Sequence, residues 1–132
     1  MTTGPSLDIT RNAQEQIVDI ARVRRYRAQH LLFELVYLFE KEVPIILKEL
    51  SAVMISGEMV RAFYLLHCLT SKVKTLGALK MEKDLLQIQD HLQCSEREEA
   101  LKVLAKLSEV YSKTVQIFYI EIASNDVGDS IN

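Results

Sequence analysis

The chain has 132 residues, which suffices for one domain with a well-buried core but not for two. Hydrophobic residues make up 48% of it and charged residues 26%, which are ordinary values for a globular protein. The formal net charge of -2 argues against a nucleic-acid binder, and no apolar stretch approaches the ~20 residues that cross a bilayer. Two cysteines make no disulfide framework, and the N-terminal residues lack a signal-peptide pattern. We therefore expect a single cytoplasmic domain that binds neither nucleic acid nor membrane.

Only four glycines and two prolines occur, which favours a few long helices over a fold with many turns. Residues 1–7 are small and polar and are predicted to form a loose tail. Over residues 8–30, apolar residues recur weakly at helical spacing and arginines gather at the end, which predicts an N-terminal helix. Either Asp8 or Thr10 is suited to cap its start. Because its apolar stripe is thin, we expect this helix to cover the fold only partly and to be the least protected from hydrogen exchange.

Four stronger helical patterns follow, each with apolar residues three or four positions apart. They are predicted over residues 31–55, 58–76, 79–92 and 96–122. Pro44 falls inside the first of these helices and is expected to kink it, whereas Gly77 is expected to end the second. Ser95 and Glu98 have the spacing of a capping box at the start of the last helix.

Helices joined by such short turns pack as antiparallel neighbours. The predicted fold class is therefore all-α, an up-down four-helix bundle with its core in residues 31–122 and an additional N-terminal helix. A polar C-terminal tail is predicted at residues 123–132. The side chains that we expect this arrangement to bury include Leu35, Phe39, Leu47, Leu66, Leu69, Leu104 and Tyr111.

Few residue patterns in the chain point to enzymatic chemistry. It has no glycine-rich phosphate loop, no nucleophile motif and no HExxH pair. His91 and Cys94 lie one helical turn apart, but a zinc site needs more ligands than these two, so a surface histidine and a packed cysteine are the simpler interpretation. The run from Arg22 to Arg27 is suited to phosphate contact, although a solvated helix end is the commoner role for such a run. We expect no metal site and no cofactor.

His67 has a more informative setting. At 100° per residue, it falls at the border of the inward face of its predicted helix. The residues that share its ridge are Val60, Tyr64, Thr70, Ser71 and Lys74. An imidazole at the rim of a bundle keeps one ring nitrogen free for water or for a phosphoryl group. The plainer alternative is a boundary histidine with no chemical role.

The segment around His67, LHCLTSKVKTLGA, resembles the signature of histidine-containing phosphotransfer (HPt) domains, A-H-x-L-K-G-x-x-x-x-L-G-A. The matching residues, at their proper spacing, are His67, Leu69, Leu76, Gly77 and Ala78. Upstream, a helix containing a proline, a short Ser-Gly-Glu turn and a helix leading into the histidine are also similar to this family. The last two predicted helices resemble those of the family too, so the resemblance covers roughly residues 31–120.

The resemblance implies a phosphocarrier of a multistep phosphorelay. His67 would accept a phosphoryl group, on Nε2, from an aspartate of a response-regulator receiver domain and pass it to another. Such a carrier is not an enzyme, because the receiver domain brings the Mg²⁺ and the acidic pocket. The implied partners are receiver domains, a hybrid sensor histidine kinase, or both. Apolar docking contacts would come from Tyr64, Phe63 and Val60, and cations facing the acidic rim from Lys72 and Lys74.

Two residues depart from the family pattern. Thr70 stands where the family has lysine, which helps to hold phosphoryl charge, and Ser71 stands where it has glycine, which leaves room for the receiver. Lys74 lies on the same ridge and is able to supply a cation from another position. These departures keep open an alternative function, a bundle that binds a receiver or kinase as an adaptor without carrying phosphate. A small metal-binding protein is a third, remote class, and a monomer is the favoured oligomeric state.

Overall fold

The computed structural model describes residue 14 and residues 16–131, with side chains as far as Ser124. Across this range the backbone forms helices and turns without any strand, so the predicted all-helical class is confirmed. The five helices that begin at or after Ile20 are α1 (Ile20–Ala28), α2 (Leu32–Ser56), α3 (Met59–Thr75), α4 (Leu79–Gln93) and α5 (Arg97–Ile131). Within the described part of the chain, none of the helices has the length and apolarity required to cross a membrane.

The four long helices enclose one apolar core. Helix α3 packs on α2, α4 packs on α3, and α5 packs on both α4 and α2. Of the predicted core positions, Phe39, Leu66, Leu69 and Leu104 are buried, whereas Leu35, Leu47 and Tyr111 are half-buried and pack against the core from its edge. The Phe39 ring lies edge-on to Phe118, with 5.5 Å between centroids, and stacks on Tyr111 at 5.8 Å. Such aromatic pairs stabilise by ~0.5–1.5 kcal/mol beyond their buried area.

Unequal helix lengths explain the place of α1. Helices α2 and α5 have 25 and 35 residues, but α3 and α4 have only 17 and 15. Helix α1 packs on α5 and α2 and begins beside the α3–α4 turn, where the Asp19 N–H donates to the Gly77 carbonyl at 2.8 Å. Val18 and Val23 are fully buried there. Helix α1 therefore covers the part of α2 and α5 that the shorter helices leave open.

The N-terminal helix predicted over residues 8–30 is not continuous. Helical backbone ends at residue 17, and a new helix starts at Ile20. Asp19 causes the break by acting as an N-cap, because its extended backbone lets the carboxylate accept the Arg22 N–H at 3.2 Å. The helix ends at Ala28, and His30 then takes a left-handed backbone with φ 60°. The predicted tail at residues 1–7 and the caps Asp8 and Thr10 lie outside the described residues.

Two further boundaries differ from prediction at the last helix. Helix α5 continues to Ile131 rather than ending at residue 122, so the predicted tail is helical as far as the structure describes it. This stretch contains one glycine and no proline, and a lone glycine costs a helix only ~1 kcal/mol. Ser95 does not form the predicted capping box, because its φ of 60° is left-handed whereas an N-cap is extended. Its N–H instead closes the end of α4 by donating to the Leu92 carbonyl at 3.1 Å.

Gly77 follows the end of α3 as predicted, and Gly57 ends α2. Gly57 and Gly77 have φ of 84° and 70°, the left-handed conformation that ends a helix at low cost only in glycine. Pro44 lies within α2, which the structure assigns as a single helix. Gly77 meets a second constraint, since a Cβ there would lie 2.9 Å from the Cβ of Asp19, whereas one at Gly57 would lie 3.3 Å from the flexible end of Arg97.

Gly77→Ala is expected to destabilise the protein more than Gly57→Ala. Both changes place a side chain in left-handed backbone, at a cost of ~1–2 kcal/mol. Only Gly77→Ala also forces α1 away from the α3–α4 turn, and overpacking of this kind adds ~1–3 kcal/mol. Chemical denaturation of the two variants measures the difference in the free energy of unfolding. Equal losses would show that the contact between Asp19 and Gly77 contributes nothing.

Tyrosines on α5 meet a carboxylate of α2. The Tyr119 hydroxyl donates a hydrogen bond to Glu40, and this bond raises the pKa of Tyr119. Burial raises the pKa of Tyr111 to about 12, with a smaller contribution from the negative charge of Glu40. In both cases the neutral phenol is favoured in the folded state.

The folded state should therefore lose stability in strong alkali. A tyrosine whose pKa is raised on folding contributes stability that is complete below pH ~10, its unfolded value. For Tyr111 that contribution disappears as the pH rises from ~10 to about 12. We expect Tyr111→Phe to show a shallower fall in the free energy of unfolding over this interval. The measurement is denaturant unfolding at several alkaline pH values, and parallel curves for the two proteins would contradict the assignment.

Candidate functional site

His67 lies near the middle of α3 on the outward face of the fold. Its side chain is exposed, as are those of Ser71 and Lys74 along the same ridge. Tyr64, one turn before it, is 57% exposed, and Val60, two turns before it, is 88% exposed. Because side chains on a helix lean toward its N-terminus, the imidazole extends toward this apolar end of the ridge.

The His67 ring has no protein partner within the described part of the chain, neither a hydrogen bond nor an ion pair. Thr70 and Phe63 are half-buried on the side of α3 that faces α4, so they border the site rather than project from it. The Ser71 carbonyl accepts the Thr75 hydroxyl at 3.0 Å, within the helix. The arrangement leaves an imidazole open to solvent between an apolar turn and a turn with two small hydroxyl residues.

Both lysines of the predicted site are engaged by carboxylates of neighbouring helices. The Lys72 ammonium lies 3.3 Å from Glu42 on α2, and the Lys74 ammonium lies 3.7 Å from Glu82 on α4. Helical periodicity does not reveal these partners, because each lies on a different helix from its lysine. Ion pairs as exposed as these contribute only ~0–1 kcal/mol, so a competing anion releases either lysine easily.

A concave surface adjoins the apolar end of the ridge. It has a volume of about 570 Å³, and its lining residues are Glu58, Met59, Val60, Arg61 and Tyr64. Arg61 was not among the predicted site residues. Its guanidinium is paired with Glu49 of α2 and lies 5.7 Å from the centroid of the Tyr64 ring. This contact holds the tyrosine against α3 beside His67.

The other two histidines have different surroundings. His30 is exposed in the turn after α1, and His91 Nδ1 lies 2.9 Å from a carboxylate oxygen of Glu96. Cys94 is exposed and Cys68 is half-buried. Over the described residues, no three histidine, cysteine or acidic side chains are placed to share a metal ion.

The arginines of α1 bind the ends and sides of other helices. Arg22 donates to the Lys74 carbonyl at 2.5 Å, and Tyr26 donates through its hydroxyl to the Thr75 carbonyl at 2.7 Å. Carbonyls in the last turn of a helix lack partners within it, and a cation there also suits the helix dipole. Helix α1 therefore caps the helix that carries His67. The interpretation of this run as a solvated helix end is wrong for Arg22.

A buried carboxylate attaches α1 to α5. Glu121 is 6% exposed, and its Oε1 lies 2.9 Å from Arg24 Nε and 3.2 Å from Arg27 Nη1. A buried carboxylate needs such partners, because an unpaired charge in that position costs several kcal/mol. These contacts explain why an arginine-rich helix with a single buried apolar residue, Val23, stays on the fold.

Glu121→Gln is expected to loosen α1 before any other helix. Losing the charge while two arginines remain should cost ~1–3 kcal/mol. Hydrogen exchange of the α1 amides should accelerate more than exchange at Leu104, because α1 makes few apolar contacts. Glu49→Gln, which breaks the exposed pair with Arg61, is the matched control and should cost under ~1 kcal/mol. Uniform acceleration through all helices would show that α1 does not open as a separate unit.

Comparison of the chain with family models, with curated proteins and with solved structures gives no match. What the protein does must therefore be argued from the geometry around His67 and from the resemblance of its motif.

Proposed function

We propose that the chain is a phosphocarrier in a two-component phosphorelay and that His67 is the residue that carries the phosphoryl group. The observation that carries the proposal is an exposed imidazole at mid-helix, without a protein partner among the described residues, beside the apolar side chains of Val60 and Tyr64. The resemblance of the surrounding motif to HPt domains supports the same role. Neither of the other histidines combines exposure with such a helical face.

The proposed architecture is the up-down four-helix bundle of that family, formed by α2 to α5, with α1 as an addition. The ring of contacts in which each long helix packs on the next supports it. So do the connections between these helices, since two residues separate α2 from α3 and three residues separate each later pair. Turns of this length favour antiparallel neighbours.

The chemistry that this chain supplies is nucleophilic. The neutral imidazole offers the Nε2 lone pair to the phosphorus of an aspartyl phosphate. An N–P bond forms while the bond between phosphorus and the aspartyl oxygen breaks, and the carboxylate leaves. The two reacting atoms must come within ~3–3.5 Å in line, which an exposed ring at the centre of a convex helix allows. The receiver domain supplies Mg²⁺, and the reverse reaction returns the phosphoryl group to a second receiver. The chain needs no cofactor and is not an enzyme by itself.

The residues around the ring have distinct proposed roles in docking. Val60, Tyr64 and Phe63 present apolar surface to the receiver, and Ser71 leaves room for its approach because the side chain is small. Thr70 borders the same space. Lys72 and Lys74 meet the acidic rim of the receiver by exchanging their carboxylate partners for those of the receiver.

One observation favours the adaptor function as the second candidate. The cations that would hold phosphoryl charge, Lys72 and Lys74, are both paired, and Thr70 replaces the lysine usual in the family. A bundle of this kind is able to bind a receiver or a hybrid sensor kinase in the cytoplasm without accepting phosphate. The two functions share a docking face and differ in the transfer step.

His67→Gln is expected to abolish phosphoryl acceptance and to leave the fold unchanged, because the ring is exposed and contributes little packing. The assay incubates the protein with a panel of phosphorylated receiver domains and follows label that is labile in acid and stable in base. His30→Gln and His91→Gln are the matched controls and should accept phosphate at the wild-type rate. Circular dichroism checks that all three variants fold.

The same assay separates the two candidate functions. If the wild type accepts phosphate and His67→Gln still does so, another residue carries the phosphate. If the wild type accepts nothing while binding a receiver, and Tyr64→Ala weakens that binding, the adaptor function is correct and the phosphocarrier function is wrong.

A further inference from the structure

The surface formed by α2 and α5, here called the α2–α5 face, has an uncharged row of residues on its α5 side. On α5 six exposed residues project from it, namely Ala105, Ser108, Ser112, Gln116, Tyr119 and Ala123. They repeat every three or four positions and include no charged residue, although 26% of the chain is charged. Of the charged residues of α5 between Ala105 and Tyr119, Glu109 borders this row, and Lys106 and Lys113 lie on the other outward side of the helix. A solvated helix face is normally the charged one.

The α2 side of the face carries exposed apolar side chains together with Lys41 and Lys48. Tyr37 is 57% exposed and Ile55 is 65% exposed, and Pro44 lies exposed between them. Between the two helices runs a groove of about 290 Å³ that is lined by Lys48 and by small and aliphatic side chains, including Ser51 and Ala105. Exposed apolar side chains beside a groove of small residues are typical of a surface on which another helix packs.

The dimensions of the face suit a dimer. Helix α2 has 25 residues, so the face is ~37 Å long at 1.5 Å per residue. Two packed helices make it about 18 Å wide. The resulting area, on the order of 650 Å², approaches the ~800 Å² per partner of a standard specific interface.

Contacts between α2 and α5 show which of their residues lie at the same level along the helix axes. Phe39 contacts Phe118, and Lys48, nine residues later on α2, lines the groove with Ala105 and Ser108, so α2 and α5 run antiparallel. Counting along both helices from the contact of Phe39 with Phe118 places Lys48 level with Glu109. The two side chains lie on the outer surfaces of different helices, so they do not meet within one chain.

A twofold axis parallel to the helices brings Lys48 and Glu109 together between copies. Rotation about such an axis does not change the position of a residue along the helix axes, and it places α2 of one copy opposite α5 of the other. The Lys48 stem then crosses the small residue Ala105, and its ammonium reaches Glu109 of the other copy. Glu109 already pairs with Lys113 of its own helix at 3.4 Å and has a second oxygen for this contact. By symmetry, the contact between Lys48 and Glu109 occurs twice in the dimer.

From this complementarity we propose that the α2–α5 face binds a second copy of this chain in an isologous dimer. Helix α3 takes no part in the contact, so both His67 faces remain open to a receiver. The dimer is thus independent of the phosphoryl chemistry, and either proposal can fail alone.

Sedimentation equilibrium of the full chain tests the dimer. We expect the average mass to rise from that of one chain toward twice that value between micromolar and millimolar protein. Tyr37→Glu should raise the dissociation constant at least ~10-fold, because a charged carboxylate then replaces an apolar ring in the buried contact. Val60→Glu makes a matched change on the His67 face and should leave the dissociation constant unchanged. Circular dichroism verifies that both variants fold.

A charge exchange tests the proposed register. Lys48→Glu and Glu109→Lys should each weaken the dimer, since each places like charges opposite one another, and the double variant should restore wild-type affinity. A monomer at all concentrations would overturn the proposal. So would a dimer that Tyr37→Glu leaves intact or that Val60→Glu disrupts. Failure of the double variant to restore affinity would refute the twofold arrangement.

Discussion

The close contact between Asp19 and Gly77 determines how the N-terminal part of the chain joins the rest of the fold. Asp19 starts α1, and its N–H binds the carbonyl of Gly77 at the end of the His67 helix. From this point Arg22 and Tyr26 lie within reach of the last carbonyls of α3. The contact depends on the absence of a Cβ at Gly77, which the left-handed turn also favours. One glycine therefore serves both the turn and the docking of α1.

This attachment gives the two ends of α3 different surroundings. Its C-terminal carbonyls are satisfied by α1, whereas its N-terminal turns face solvent beside the concave surface near Tyr64. A helix fixed at one end keeps the residues between Ser71 and Gly77 in place, and those residues follow His67 in its motif. The imidazole leans toward the N-terminal turns, so its ring lies over that side of the helix. The C-terminal side of the site is thus fixed by α1 and the N-terminal side is open, with the His67 imidazole between them.

Periodicity in the sequence predicted the existence and type of the four long helices, because each has an apolar stripe that its partners bury. It also placed His67 on an outward ridge. It failed at Asp19, where the helical pattern continues through a residue whose side chain competes for a backbone N–H. It failed at Ser95 because the spacing of a capping box does not reveal a left-handed backbone. Periodicity did not predict the partners of Lys72 and Lys74, since it shows which face of a helix is buried but not the register between two helices.

The paired lysines also indicate where binding energy on the His67 face must come from. When Lys72 or Lys74 turns to a carboxylate of a partner, it leaves Glu42 or Glu82, so one exposed ion pair replaces another. Each such pair is worth ~0–1 kcal/mol, and the exchange is close to neutral. Charge then steers and orients a partner but adds little affinity. In the proposed complex with a receiver, the net gain must therefore come from the apolar turns before His67, where Val60 and Tyr64 are exposed.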